Sequence, residues 1–178
     1  YVSSYQPIAS LSFAIEYAIF GENAKVHHIT NLLLHLINIG LVYWLLFAIF
    51  KDKWLTVIVT SIFAVHPFQA EVLGWISTRS TLLYSTFILL AATLFTRNIQ
   101  STAVGVDSKT YGIVLLLYLL AALTKSAAIV FPFTIMLLYY YTTRKRSFKS
   151  LVGIVPFFVV SIVTGLVSIS SRGSGGNT

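Results

Sequence analysis

Residues 111–141 read YGIVLLLYLLAALTKSAAIVFPFTIMLLYYY, and the fold turns on this stretch. It runs for 31 residues with one charge, Lys125. As a single helix it would be about 46 Å long, against a hydrocarbon thickness of roughly 30 Å. A lysine held at the bilayer centre would also cost at least about 2.5–3.5 kcal/mol. Breaking the stretch at Lys125-Ser126 removes both problems. It predicts two spans, residues 111–124 and 127–142, with Lys125 at the interface between them.

The same reading extends outward. Residues 80–96 form an apolar run that meets Arg97, followed by a polar loop over 98–109. Residues 54–66 form another, ended by His66-Pro67 because proline lacks an N–H and crowds the preceding turn. Residues 26–50 close at Lys51-Asp52-Lys53, and residues 151–169 supply a last run. Phe68 to Ser77 is expected to be a short interfacial helix with Pro67 near its start. Residues 5–20 are apolar but cover only about 24 Å and carry Glu16, so they predict an amphipathic helix on the membrane surface. The expected fold is all-α: a polytopic transmembrane helix bundle of about six spans plus an outer-face amphipathic helix. Composition agrees, with 57% hydrophobic and 10% charged residues against roughly 25% charged in a soluble domain.

Charge parity tests the count. Six crossings put Lys51, Lys53, Arg97, Lys109, Arg144, Lys145, Arg146 and Lys149 on one side. Lys25, Arg79, Lys125 and Arg172 fall on the other. The larger set sits in short loops, as cytoplasmic charges do. An unbroken 111–141 helix would send the Arg144–Lys149 cluster to the outer side. The outer face then holds the 5–20 helix, the His66–Arg79 loop and Lys125, with Glu16, Glu22 and Glu71. The net charge of +7 is thus read as topological, and no nucleic-acid partner is expected. Cysteine is absent, which removes disulfides and thiolate metal sites. No Gly-rich phosphate loop, HExxH pair or GxSxG nucleophile occurs. His27 and His28 project about 100° apart as helix neighbours, a poor metal pair, and no metal is expected. The start at Tyr1 and the Ser/Gly-rich tail read as cuts, so residues 1–178 are expected to be one membrane-domain fragment of a protein longer at both ends.

Three groups could carry chemistry. His28, Asn31, His35 and Asn38 recur at spacings of three, four and three, within an arc of about 80° on a helix. Such a stripe is either interhelical hydrogen-bond glue or, at its outer end, the lining of a site. Glu71, Trp75 and Arg79 lie at i, i+4 and i+8 if one helix carries them. A carboxylate, an aromatic plate and a guanidinium so placed could bind a sugar and a phosphate, the arginine fork pairing two oxygens. They could equally anchor an interfacial helix by a snorkelling Trp. Lys125 could face a lipid phosphate or simply mark a turn.

With these residues in hand, the chain resembles the membrane mannosyltransferase-like family of the C-type glycosyltransferase superfamily, relatives of protein O-mannosyltransferases that often carry tetratricopeptide repeats. The resemblance rests on Tyr5-Gln6-Pro7-Ile8, Leu11 to Tyr17, Phe20-Gly21, His28 to His35 with Asn38, His66-Pro67 to Glu71, Trp75-Ile76-Ser77, Arg79, and Lys125 followed by Pro132. These are spread over about residues 5 to 140.

The resemblance implies a C-type glycosyltransferase-like fold in the bacterial inner membrane or the endoplasmic reticulum. It implies transfer of a sugar, mannose in the first instance, from a polyprenyl- or dolichyl-phosphate donor to a hydroxyl on a protein or glycan. Transfer inverts the anomeric centre, on the outer face, with no other cofactor. It puts Arg79 and Lys125 on the lipid phosphate, with His28, Asn31 and Trp75 lining the site. Glu71 and His66 are the catalytic candidates, orienting sugar or acceptor, and the principal carboxylate is expected upstream of Tyr1. Four positions depart from the family: Gln6 for a basic residue, Gln69 for a second His, Thr81 for an acid after the Arg, and Ser126 for a Glu after the Lys. These losses leave open a catalytically inactive membrane scaffold of the same fold, and a transporter as a more distant alternative.

Overall fold

A computed structural model describes residues 6–101, 107–143 and 153–173. All regular structure among them is helical. Helix α1 spans Pro7–Phe20, with proline in the first turn where its missing N–H costs nothing. Gly21 ends it at φ 65°, a conformation a side chain would strain. Helix α2 spans Ala24–Phe50 and is capped by Asn23, whose side chain accepts from the Lys25 N–H at 3.1 Å. Lys51 adopts the left-handed conformation at φ 59°, and Asp52 caps α3 (Lys53–Val65) through the Trp54 and Leu55 N–H groups. Two residues thus turn the chain between α2 and α3.

The chain bends by 48° from α3 into α4 (Pro67–Gly74). The His66 Nδ1 caps α4 by accepting from the Phe68 N–H at 3.2 Å. Trp75 is extended, a 3₁₀ turn covers Ile76–Thr78, and α5 runs Arg79–Ser101. At 1.5 Å per residue α5 is about 34 Å long, a bilayer's hydrocarbon thickness. Asp107 caps α6 (Ser108–Thr124), which stops at an extended Lys125. A second 3₁₀ turn, Ser126–Val130, leads into α7 (Phe131–Thr143), and α8 covers Val155–Gly173. The predicted break at Lys125 is therefore present. The Arg144–Lys149 cluster, the polar tail from residue 174 and the first two residues of the last predicted span lie outside the described residues.

Among the described residues, three stretches are long and apolar enough to cross a membrane: Ala24–Phe50, Ile76–Ser101 and Ser126–Thr143. The bent pair Lys53–Val65 with Pro67–Gly74 makes up to four, against the six expected; α6 and α8 are apolar but shorter. The lipid-compatible exterior is plain in the exposed Leu33, Leu36, Ile58, Ile62, Leu137 and Leu166.

The core lies where α5, α6, α7 and α8 meet. Ala91, Ala92, Ala121 and Ala122 are buried on α5 and α6, and such small side chains let two helices approach closely. Tyr118, Phe131 and Phe157 pack beside them with tilted and edge-on rings, and the Tyr118 hydroxyl meets Ser161 Oγ at 2.5 Å. Asn38 joins α2 to α5, donating to the Leu82 carbonyl at 3.1 Å and accepting from Thr86 Oγ1 at 2.9 Å.

The two ends of the bundle differ. At one, Lys51 Nζ donates to Gln100 Oε1 at 2.7 Å and the Arg97 guanidinium lies 4.8 Å from the Trp44 ring. At the other, Lys125 Nζ donates to Thr81 Oγ1 at 2.7 Å. Thr81 and Gln100 stand at opposite ends of α5. The bundle thus separates Lys51 and Arg97 from Arg79 and Lys125, as the charge pattern requires.

Candidate functional site

The Arg79–Lys125 end is built by the start of α2, the α4–α5 link, the α6–α7 break, and α1. Helix α1 is seated on the bundle. Ala9, Phe13 and Glu16, spaced four and three apart, form the face it turns inward, and it packs against α2, α5 and α6. Leu11, Ile15 and Ile19 point outward.

At the centre of this end is Arg79, 1% exposed. Its Nε donates to Asn31 Oδ1 at 3.1 Å, its Nη2 to the His27 carbonyl at 3.0 Å, and its Nη1 to Glu16 Oε2. The guanidinium carbon sits 4.3 Å from the Phe13 ring centroid. Glu16 is 7% exposed and takes two further bonds, from Thr30 Oγ1 and His27 Nδ1. Burial pushes the Glu16 carboxyl up. The hydrogen bonds from Thr30, Arg79 and His27, with the Arg79 charge, outweigh it and hold the carboxyl below its ordinary range. Asn31 also donates to the Trp75 carbonyl at 3.4 Å, and Thr78 Oγ1 donates to the same oxygen at 2.5 Å. The helix break between α4 and α5 therefore has its loose carbonyl satisfied from two sides.

The sequence-derived candidates are distributed unevenly around this centre. Arg79 and Asn31 are joined directly and buried. Trp75 takes part through its backbone, while its indole is 65% exposed. Lys125 is half-buried beside Thr81, and among the described residues no carboxylate pairs with it. Glu71 and His66 are exposed on and before α4, and among the described residues Glu71 has no ion pair. His28 is exposed and outside the cluster. The polar stripe of α2 is therefore Asn31, His35 and Asn38, all buried, and the histidine that meets the cluster is its neighbour His27.

The i, i+4, i+8 face drawn through Glu71, Trp75 and Arg79 does not exist as one helical face. Helix α4 ends at Gly74, because Trp75 is extended and Thr78 folds back to the Val72 carbonyl. The residues missed by sequence reasoning are Glu16, His27 and Thr30. The signal available for Glu16 was a lone carboxylate in an apolar helix, which requires a partner wherever it is buried.

Fold and site define an all-helical membrane protein with a charged, largely buried cluster at one end of its bundle. The chain is 31% identical over 103 residues to protein O-mannosyl-transferase TMTC1 of Homo sapiens, which covers 57% of this chain and 12% of that protein. It is 31% identical over 109 residues to protein O-mannosyl-transferase TMTC2 of Mus musculus, covering 61% and 13%. It is 30% identical over 95 residues to protein O-mannosyl-transferase TMTC3 of Homo sapiens, covering 53% and 10%. These similarities support an O-mannosyltransferase-like family for the chain. The matched part is only about an eighth of the length of the curated relatives. No family model and no solved structure matches it.

Proposed function

We propose that this chain is part of the membrane domain of a glycosyltransferase that moves mannose from a polyprenyl- or dolichyl-phosphate donor to a hydroxyl acceptor. The observation that carries the reading is Lys125. Its Nζ has a neutral hydroxyl, Thr81 Oγ1, as partner at 2.7 Å, so its full charge is left to meet an anion at the bundle end. An acid at position 81, as in the resembling family, would neutralise it. A lipid phosphate arriving from the membrane brings two or three oxygens to such a cation.

In this reading the acceptor oxygen attacks the anomeric carbon as the bond from that carbon to phosphate oxygen breaks, so the centre inverts. Lys125 stabilises the negative charge growing on the departing phosphate. Glu71, exposed and without an ion pair among the described residues, orients the acceptor hydroxyl so that a carboxylate can take its proton; His66 stands at the N-terminus of the same helix. Trp75 offers its exposed ring as a platform for a sugar. The membrane would be that of the endoplasmic reticulum in a eukaryotic cell, or the inner membrane of a bacterium.

The test is a transfer assay on membranes carrying the full-length protein, supplied with radiolabelled polyprenyl-phosphate mannose. Label should move to protein or glycan, and Lys125→Met should lower the rate by about 100-fold, the usual effect of removing one donor to a developing oxyanion. Glu71→Gln should lower it by at least as much. Transfer that survives both substitutions, or never occurs in folded wild type, removes the reading. The second reading, an inactive scaffold, is favoured by Thr81 and Ser126 standing where the resembling family has acids, and by Arg79, which spends three of its donor directions on protein partners.

A further inference from the structure

The Glu16–Arg79 pair joins residues 63 positions apart and ties α1 to the start of α5. Neither group faces outward: Arg79 is 1% exposed and Glu16 7%. A guanidinium so enclosed is poorly placed to receive a lipid phosphate. Its own contacts lead elsewhere. From Glu16 the chain of bonds passes through Arg79 to Asn31 Oδ1, and from Asn31 Nδ2 to the Trp75 carbonyl. Trp75 is the extended residue at which α4 ends, and Arg79 is the residue at which α5 begins. Both ends of the link between α4 and α5 are thus tied to one carboxylate, the Arg79 end directly and the Trp75 end through Asn31 and Arg79. Two residues past Arg79 stands Thr81, the partner of Lys125.

We infer that Glu16 is a positioning residue for the bundle-end site. Acting through Arg79 and Asn31, it fixes the Trp75–Thr81 link, and so sets where the Trp75 ring and the Lys125 ammonium stand relative to each other. The inference rests on the transferase reading for what the site does, but the clamp itself does not. His27 and Thr30 belong to the clamp because they hold the same carboxylate from α2. Arg79 is likewise a positioning residue, and Lys125 alone of the two cations meets the donor.

The experiment separates positioning from folding. Glu16→Leu or Arg79→Met alone leaves one buried charge without its partner and should lower folded yield sharply. The double substitution removes both charges, and replacing a buried pair by apolar groups is often neutral for stability. In the full-length protein the double variant should recover wild-type yield and melting temperature yet transfer mannose at least tenfold more slowly, with the loss in kcat. The link is read independently by Ser77→Cys, an exposed position in a stretch with no native cysteine. Its modification by a membrane-impermeant maleimide should rise at least threefold in the double variant. Recovery of folding with wild-type transfer and unchanged labelling would overturn the inference, as would a single Glu16→Leu variant that folds and transfers normally. If the double variant does not fold, Thr30→Val, which removes one bond to the carboxylate, must raise labelling and slow transfer in folded protein, or the inference fails. If wild type transfers nothing, the transferase reading falls, and the labelling still decides the clamp.

Discussion

Asn31 and Asn38 lie two turns apart on one stripe of α2, are 0% and 2% exposed, and should respond very differently to the same truncation. Asn38→Ala removes a bond to the Leu82 carbonyl and one from Thr86. Neither partner is stranded, because Thr86 Oγ1 still donates to Leu82 at 2.9 Å. Interhelical hydrogen bonds of this kind average about 0.6 kcal/mol in a membrane, so two give about 1.2 kcal/mol. Asn31→Ala instead takes the acceptor from the Arg79 Nε–H inside the cluster. Bonds to charged groups contribute about 1.5–3 kcal/mol. With the weaker contact to the Trp75 carbonyl the total is about 2–3.5 kcal/mol. The same side-chain atoms are deleted at both positions, so the cavity contributions largely cancel in the difference. Reversible unfolding of the purified full-length protein in bicelles should place Asn31→Ala at least about 1 kcal/mol below Asn38→Ala, roughly a fivefold difference in the unfolding equilibrium. Equal losses, or a larger one at Asn38, would refute the idea that the stripe changes character from glue to charged cluster along its length.

The pair Glu16–Arg79 also makes stability depend on pH. The carboxyl is held below its ordinary value of 4.5, so the unfolded state binds the proton more tightly than the folded state does. The stabilisation is fully present above about pH 4.5 and is lost as pH falls through the lowered folded value, so thermal melts of wild type and of the Glu16→Leu, Arg79→Met double variant, matched at neutral pH, should separate in that acid window, with wild type the lower. His27→Ala should lower the melting temperature by several degrees because it removes a direct partner of Glu16, whereas His28→Ala, one residue on and exposed, should leave it within a degree of wild type.

How far the sequence could be read depended on whether a feature is local. The break at Lys125, the end of α2 before Lys51-Asp52-Lys53, and the bend at His66-Pro67 all follow from a few neighbouring residues and a length limit. The separation of Lys51 and Arg97 from Arg79 and Lys125 follows from counting turns of the chain. The partner of Arg79 is a different kind of fact. It comes from a helix 63 residues away, and no periodicity in α5 points to it. The shortness of residues 5–20 and their one acid mark an amphipathic helix, but nothing local says that Glu16 points inward with Ala9 and Phe13. The helical face drawn through Glu71, Trp75 and Arg79 failed for a related reason. Residues 67–79 contain neither a proline nor a strong breaker after Pro67, apart from Gly74, and the break at Trp75 is held by Asn31 from another helix.

The spacing of the Glu16 partners along the chain also imposes an order in time. Ribosomes add about 5–20 residues per second, so His27 and Thr30 become available roughly half a second to three seconds after Glu16, and Arg79 about three to thirteen seconds after it. During that interval the carboxylate can be held by α2 alone. Helix α1 thus cannot reach its final seat before the start of α5 arrives, and any step that delays α5 leaves the acid without its cation at the mouth of a half-built bundle.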